Sequence, residues 1–145
     1  MKALIQRVKR AKVKIDDVIY SEIEQGILIF LGVEKNDTEG HAEFLASKIS
    51  KLRIFDDEEG KMNLSVKDIT GEILVVSQFT LASDCKKGTR PSFDNAKKPD
   101  EAKEIYEKFI SFVKQNNISV KTGVFGAIME IELINDGPVT FVLTK

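Results

Sequence analysis

The residues best equipped for chemistry lie together at the end of the chain's most apolar stretch. Ile73-Leu74-Val75-Val76 is an uninterrupted aliphatic run, which suits a strand buried on both faces, and it passes directly into Ser77-Gln78-Phe79-Thr80-Leu81. Two hydroxyls and an amide at such a place need hydrogen-bond partners or a ligand, because burying them unpartnered is costly. Satisfaction by neighbouring backbone is the structural alternative. A hydroxyl nucleophile also needs a base to take its proton, usually a histidine. The chain holds one histidine, His41, and one cysteine, Cys85, and no G-x-S-x-G elbow surrounds a serine. A Walker A loop, a G-x-G-x-x-G unit and a cysteine pair are also missing, which argues against nucleotide hydrolysis, dinucleotide redox chemistry and structural zinc. Hydrolysis here would have to draw on backbone groups or on the substrate itself.

Basic side chains gather in two places. Residues 1–14 contain Lys2, Arg7, Lys9, Arg10, Lys12 and Lys14 and no acid. Ala11, Val13 and Ile15 alternate there with Lys12, Lys14 and Asp16, the period of a half-buried strand with a positive outer face. That face is either a lysine-protected edge or a phosphate-contacting surface. Segment 82–98 has no periodicity and carries Lys86-Lys87-Gly88-Thr89-Arg90-Pro91-Ser92-Phe93; long segments of this kind are uncommon in small domains and are often functional. The acidic cluster Asp56-Asp57-Glu58-Glu59-Gly60 lacks the ligand spacing of a calcium loop and reads as a solvated turn. Asn135-Asp136-Gly137-Pro138 separates two alternating segments, and its Asp-Gly pair is a hairpin signal, with proline opening the returning strand.

Strands and two helices must position these groups. Asp16-Asp17 turns the basic strand into a return over 18–24, and 27–33 reads as a central strand. Asn36-Asp37-Thr38 can cap a helix whose apolar positions are Ala42, Leu45, Ile49 and Leu52, with His41 in its first turn as a boundary residue. Pro99, followed by Asp100 and Glu101, starts a second helix with a stripe of Ala102, Ile105, Phe109 and Phe112. Asn116-Asn117 ends it. A short strand over 118–122, the Gly123-Val124-Phe125-Gly126 break, and strands through Met129-Ile131-Leu133 and 139–144 complete the chain.

At 145 residues the chain suits one domain with a real core, 1–145, and 42% hydrophobic with 31% charged residues is ordinary for a globular protein. With 22 basic and 23 acidic residues the net charge is −1, so any nucleic-acid contact must be a local patch. The lone cysteine excludes an internal disulfide, no apolar run approaches the roughly twenty residues of a membrane span, and no secretory signal is visible. A cytoplasmic location is expected.

Gln6-Arg7-Val8, Lys61-Met62-Asn63-Leu64-Ser65-Val66, the 77–81 stretch, Gly88-Thr89-Arg90-Pro91-Ser92-Phe93 and Asn135-Asp136-Gly137-Pro138-Val139-Thr140 occur in this order. With these segments the sequence resembles the D-aminoacyl-tRNA deacylases from Met1 to its C-terminus. The resemblance implies a homodimer that hydrolyses the ester between a D-amino acid, or glycine, and the 3′-terminal adenosine of tRNA. It implies that the Gly137-Pro138 peptide is cis and reaches the partner subunit's site, holding the substrate amino group and excluding L side chains. Arg7 would brace that loop, and Phe79, Phe125 and Met129 would help form the adenosine pocket. Ser77, Gln78, Phe79 and Thr80 would form the catalytic wall, with backbone N–H groups near Phe79 and Thr80 stabilising the oxyanion. Water assisted by the ribose 2′-OH and Thr80 as nucleophile are alternative routes. Lys86, Lys87 and Arg90 are candidate tRNA contacts, and neither metal nor cofactor is expected. A non-catalytic RNA-binding module, or a relative with a trans Gly-Pro peptide that accepts small L-amino acids, are the other readings. The expected fold is α/β, a single mixed, mostly antiparallel curled sheet with two principal helices, homodimeric.

Overall fold

The computed structural model describes residues 1–86 and 88–145. Its centre is a parallel pair, β3 (Gly26–Gly32) and β6 (Glu72–Ser77), in register from Gly26 opposite Glu72 to Leu31 opposite Ser77. Both strands are aliphatic on both faces, as the sequence suggested, because each face meets its own core. β7 (Ser119–Thr122) extends the pair in parallel on the β6 side. On the β3 side lies β1 (Lys2–Ile15), antiparallel and twice as long, whose first half pairs with β3 and whose second half turns through Asp16-Asp17 to pair with β2 (Val18–Ile23). Both turn residues have positive φ, 50° and 62°, which matches a type I′ hairpin. β8 (Glu130–Thr144) covers the other edge of β1. Ser21 Oγ donates to the Thr122 carbonyl at 2.8 Å, so β2 leans across onto β7 and the sheet curls nearly into a barrel. A small hairpin of β4 (Phe55–Asp56) and β5 (Met62–Leu64) stands apart. The expected α/β class, with two helices and a mostly antiparallel curled sheet, is what forms.

Inside the curl Val8, Val13, Ile23, Leu28, Leu74 and Val76 make one core. On the other face Ile5, Ile27, Ile29, Ile73 and Val75 pack under α1 (Glu39–Ser50) and α2 (Pro99–Lys114). Alternation along β3 and β6 thus sends successive side chains into two different interiors. α2 starts at Pro99 as expected, but its fully buried stripe is Ala102, Tyr106, Phe109 and Val113; Ile105 and Phe112 flank it half-buried. The shift by one residue lets the Tyr106 hydroxyl reach the Val75 carbonyl at 2.9 Å. Burial pushes that phenol's pKa well up. At the start of α1, Thr38 is the N-cap residue but makes no side-chain capping bond. Asp37 organises this end instead, accepting from the Glu34 N–H at 2.6 Å, the Met1 ammonium at 2.5 Å and facing His41 Nδ1 at 3.1 Å. His41 is accordingly a structural partner of Asp37. No helix among the described residues is long and apolar enough to cross a membrane.

Two expectations change. The positive face of β1 is matched by glutamates on β8: Lys12 Nζ lies 2.8 Å from Glu132, and Lys14 also pairs with it. The register that sets Lys12 opposite Glu132 and Lys14 opposite Glu130 makes this an ion-paired surface, so the phosphate-contacting reading of β1 has no support there. The Asp-Gly segment does not reverse the chain either. Residues 130–144 form one strand along β1, and 135–139 swell out of it, because Asn135 pairs with Val8 while Thr140 already pairs with Gln6. It is a wide bulge, which a local turn signal resembles, since both need glycine at an unusual φ.

Removing the Tyr106 hydroxyl in Tyr106→Phe takes from the Val75 carbonyl one of its two donors, leaving the Gly123 N–H at 3.0 Å, and calorimetry should show a loss of about 1 kcal/mol, or about 2–4 °C in Tm. Hydrogen bonds from Lys12 and then Lys14 hold the Glu132 carboxyl down at about 2, from an ordinary value of 4.5. A depressed acid stabilises the fold above its unfolded value and loses that contribution as pH falls. Thermal stability should therefore fall more steeply between pH 4.5 and about 2 in the wild type than in Glu132→Gln.

Candidate active site

A cavity of about 480 Å³ opens at the carboxyl ends of β3 and β6, within the roughly 300–1,000 Å³ range of small-molecule sites. Leu31 and Val33 form its floor, Ser77, Gln78 and Phe79 one wall, and Ala102 of α2 with Phe125 the opposite wall. The wall exists because β6 stops abruptly. The Gln78 N–H donates to the Leu31 carbonyl at 2.8 Å, after which residues Phe79–Ala82 wind into a single 3₁₀ turn. That turn sits directly on Gly32. A Cβ on Gly32 would lie 2.7 Å from Leu81 Cβ and 3.1 Å from the Gln78 carbonyl, so only glycine allows the approach.

The turn leaves its first amides open. Among the described residues none accepts from the N–H groups of Phe79 or Thr80, as is usual at a helical start. The Gln78 Nε2 donates to Thr80 Oγ1 at 2.5 Å. Phe79, 57% exposed, is held in place by stacking on Phe93, centroid to centroid 4.3 Å at 24°. Phe93 belongs to the aperiodic segment, which is pinned back by the mutual backbone bonds of Asp84 and Ser92. Lys97 is the one titratable side chain among the described lining residues. Among the described residues no histidine, cysteine or carboxylate lines the cavity to serve as a base.

The Asn-Asp-Gly-Pro-Val-Thr motif builds a second feature, the β8 bulge. Asn135 Oδ1 accepts from the Val139 N–H at 2.7 Å, and its Nδ2 donates to Thr140 Oγ1 at 2.9 Å, so one side chain ties both ends of the bulge. Buried Val139 anchors the returning end. The Gly137–Pro138 peptide is cis. Gly137 has φ +135°, and a Cβ there would lie 2.6 Å from Val139 Cγ2. Arg7 contacts this structure: Nε donates to the Asp136 carbonyl at 3.0 Å, and Nη1 to the Ile54 carbonyl at 2.7 Å and Asp56 at 3.2 Å.

The expected site residues therefore fall into two groups. Ser77, Gln78, Phe79 and Phe125 line the cavity, with Thr80 next to it; Phe125 leans on Tyr106 with centroids 5.6 Å apart. Met129 does not join them. It packs against the core inside the curl and closes over Gly123. Arg7, Gly137 and Pro138 stand at the other end of the strands. Arg7 pairs with Ile27 and Ser77 with Leu31, four residues along β3, or about 13 Å, with three strand spacings of about 5 Å between β8 and β6. Within one chain the two groups do not meet. Lys86 and Arg90 are exposed on the aperiodic segment, and Lys87 lies outside the described residues. Neither Gly32, whose role depends on what packs above it, nor Lys97, the first of two lysines before Pro99, carries a local sequence signal for this site.

The D-Tyr-tRNA(Tyr) deacylase family profile matches residues 4–144. A protein of Geobacter metallireducens named D-aminoacyl-tRNA deacylase is 57% identical over 143 residues, 99% of this chain and 95% of that protein. One of the same name from Pseudoalteromonas translucida is 59% identical over 141 residues, 97% of each chain. Among solved structures, the c-Myc DNA Unwinding Element Binding Protein superposes with a TM-score of 0.94 at 40% identity, over 100% of this chain and 99% of that one. A probable eukaryotic D-amino acid tRNA deacylase superposes at 0.84 with 16% identity over 98% and 97%, a likeness of fold.

Replacing Arg7 by Met strips two carbonyls and a carboxylate of their donor. The variant should lose about 1.5–3 kcal/mol in denaturant unfolding, and restoring the charge with lysine should recover only part of it, since one ammonium cannot span the same acceptors.

Proposed function

The chain belongs to the D-Tyr-tRNA(Tyr) deacylase family, and from that membership we infer that it hydrolyses the ester joining a D-amino acid, or glycine, to the 3′-terminal adenosine of tRNA. The observation that carries the mechanism is the pair of amides, Phe79 and Thr80, unpartnered among the described residues, at the rim of a largely apolar cavity whose described lining holds no histidine or carboxylate. Adenosine fills the cavity against Phe79 and Phe125. The ester carbonyl then lies at the turn, where the two N–H groups receive the developing oxyanion; one such donor is worth about 3 kcal/mol.

An aminoacyl ester is already reactive, so preorganised donors suffice where an amide would demand more. Water adds to the carbonyl carbon, the bond to the 3′ oxygen breaks, and that oxygen takes a proton, with the adjacent 2′-OH relaying it. The free amino acid and tRNA leave. Thr80 is a poor nucleophile in this setting, because its oxygen accepts from Gln78 and the described lining of the adjoining cavity holds no histidine or carboxylate. Ser77 and Gln78 hold the wall in place.

Chiral selection comes from Gly137 and Pro138 of a second copy. Their bulge cannot reach the cavity of its own chain. A two-fold pairing exchanges opposite ends, which brings each bulge to the other chain's cavity. The outer edge of β8 favours such a pairing: among the described residues it pairs only with β1, and it exposes Ile134, Phe141 and Val142. Backbone that is braced by Arg7 cannot yield to an L side chain, so discrimination works by exclusion. The substrate and the single cysteine fit a cytoplasmic enzyme.

Deacylation of D-tyrosyl-, glycyl- and L-tyrosyl-tRNA by wild type and Thr80→Val tests the scheme. The first two substrates should be cleaved and the third spared. The valine variant should keep activity within about tenfold; near-complete loss with intact substrate binding would establish a threonine nucleophile instead.

A further inference from the structure

We infer that Lys97 binds the phosphodiester on the 5′ side of the substrate's terminal adenosine and thereby distinguishes a nucleic-acid end from a simple ester. The inference rests on the assignment of the cavity to that adenosine. Lys97 is the one cationic side chain among the described residues lining a cavity that is otherwise uncharged and largely apolar. Of the groups that arrive together there, the ester, ribose and base are uncharged, and the phosphodiester is the anion. Charge complementarity pairs the two.

The ammonium is held but not used up. It carries three donors. One goes to the Lys35 carbonyl at 2.9 Å, while the Glu101 carboxylate stands 3.6 Å away, beyond ordinary hydrogen-bond length. Two protons remain for an incoming acceptor. The side chain lines the cavity and is only 12% exposed. Its backbone is equally fixed. The Lys97 N–H donates to the Val33 carbonyl at 3.2 Å and the Lys35 N–H to the Asn95 carbonyl at 2.7 Å, with Ala96 bridged to Glu34 between them. Residues 95–97 thus form a short ladder on the continuation of β3, the same strand that floors the cavity. Lys86 and Arg90 have no such scaffold and sit exposed. Preorganisation of this kind lowers the cost of ordering a long side chain on binding.

A purely structural lysine, tying Lys35 to the start of α2, is the competing role. Two variants, Lys97→Met and Lys97→Arg, are compared with wild type on D-tyrosyl-tRNA and on 3′-O-D-tyrosyl adenosine, which has no phosphate. For the tRNA, the methionine variant should raise KM about tenfold with kcat within about twofold. The arginine variant should restore KM to within about threefold. The slope of log KM against log salt should flatten by about 0.7, the contribution of one single-strand phosphate contact. On the nucleoside ester the methionine penalty should vanish. Equal losses on both substrates, no loss on either, or an unchanged salt slope overturns the inference, and the slope decides the matter on tRNA alone. If wild type cleaves neither substrate, the proposed function itself fails, which is a different result from any of these.

Discussion

Burial of β3 and β6 on both faces is the constraint from which the rest follows. A parallel pair with a core on each side cannot expose polar side chains along its length, so polar groups collect where the strands end. The pairing begins at Gly26, where a Cβ would come within 1.9 Å of the Glu72 carbonyl, and it ends at Leu31 and Ser77. At that end the chain changes from strand to 3₁₀ turn over a second glycine, Gly32. Glycines at both ends of one seven-residue strand thus define where the sheet starts and where the cavity opens. The helices reinforce this frame: Tyr106 of α2 bonds the Val75 carbonyl in the middle of β6 and supports Phe125 at the cavity wall.

The chemistry suits such a frame. Backbone donors at a strand end need no pKa adjustment, and they are as rigid as the core beneath them. An activated ester asks for little else. The cost is that selectivity must come from shape, which a single apolar cavity cannot supply for two mirror-image substrates. The β8 bulge, the proposed source of that shape, is built in a separate place, with one arginine reaching three acceptors and one asparagine closing its base. Within one chain the bulge stands apart from the cavity, and for that reason the proposed selection calls on a second copy.

Several elements could be read directly. Strand period, Pro99 with its acidic first turn, and the Asp16-Asp17 hairpin each have a local cause, and each appears where the residues indicate. Errors arose where a local cue had a non-local outcome. Asp136-Gly137-Pro138 carries the chemistry of a turn, but β1 runs past it unbroken, and the chain bulges instead of reversing. Lys12 and Lys14 look like a basic face until β8 brings Glu132 beside them. Met129 shares a flexible segment with Phe125, but the start of β8 turns its side chain to the core inside the curl.

The 77–81 stretch shows the division most clearly. Sequence by itself determined that a buried strand ends there in polar residues, that no histidine or cysteine accompanies them, and that the joint motifs mark a deacylase family; composition and order suffice for these. Only the tertiary structure decided that the stretch winds into a turn on Gly32, that the amides of Phe79 and Thr80 are left open, and that Lys97 comes to the cavity while Gly137 does not. Those outcomes depend on which strands lie side by side and in what register, and register is a property of the whole sheet, set by the packing of both cores at once.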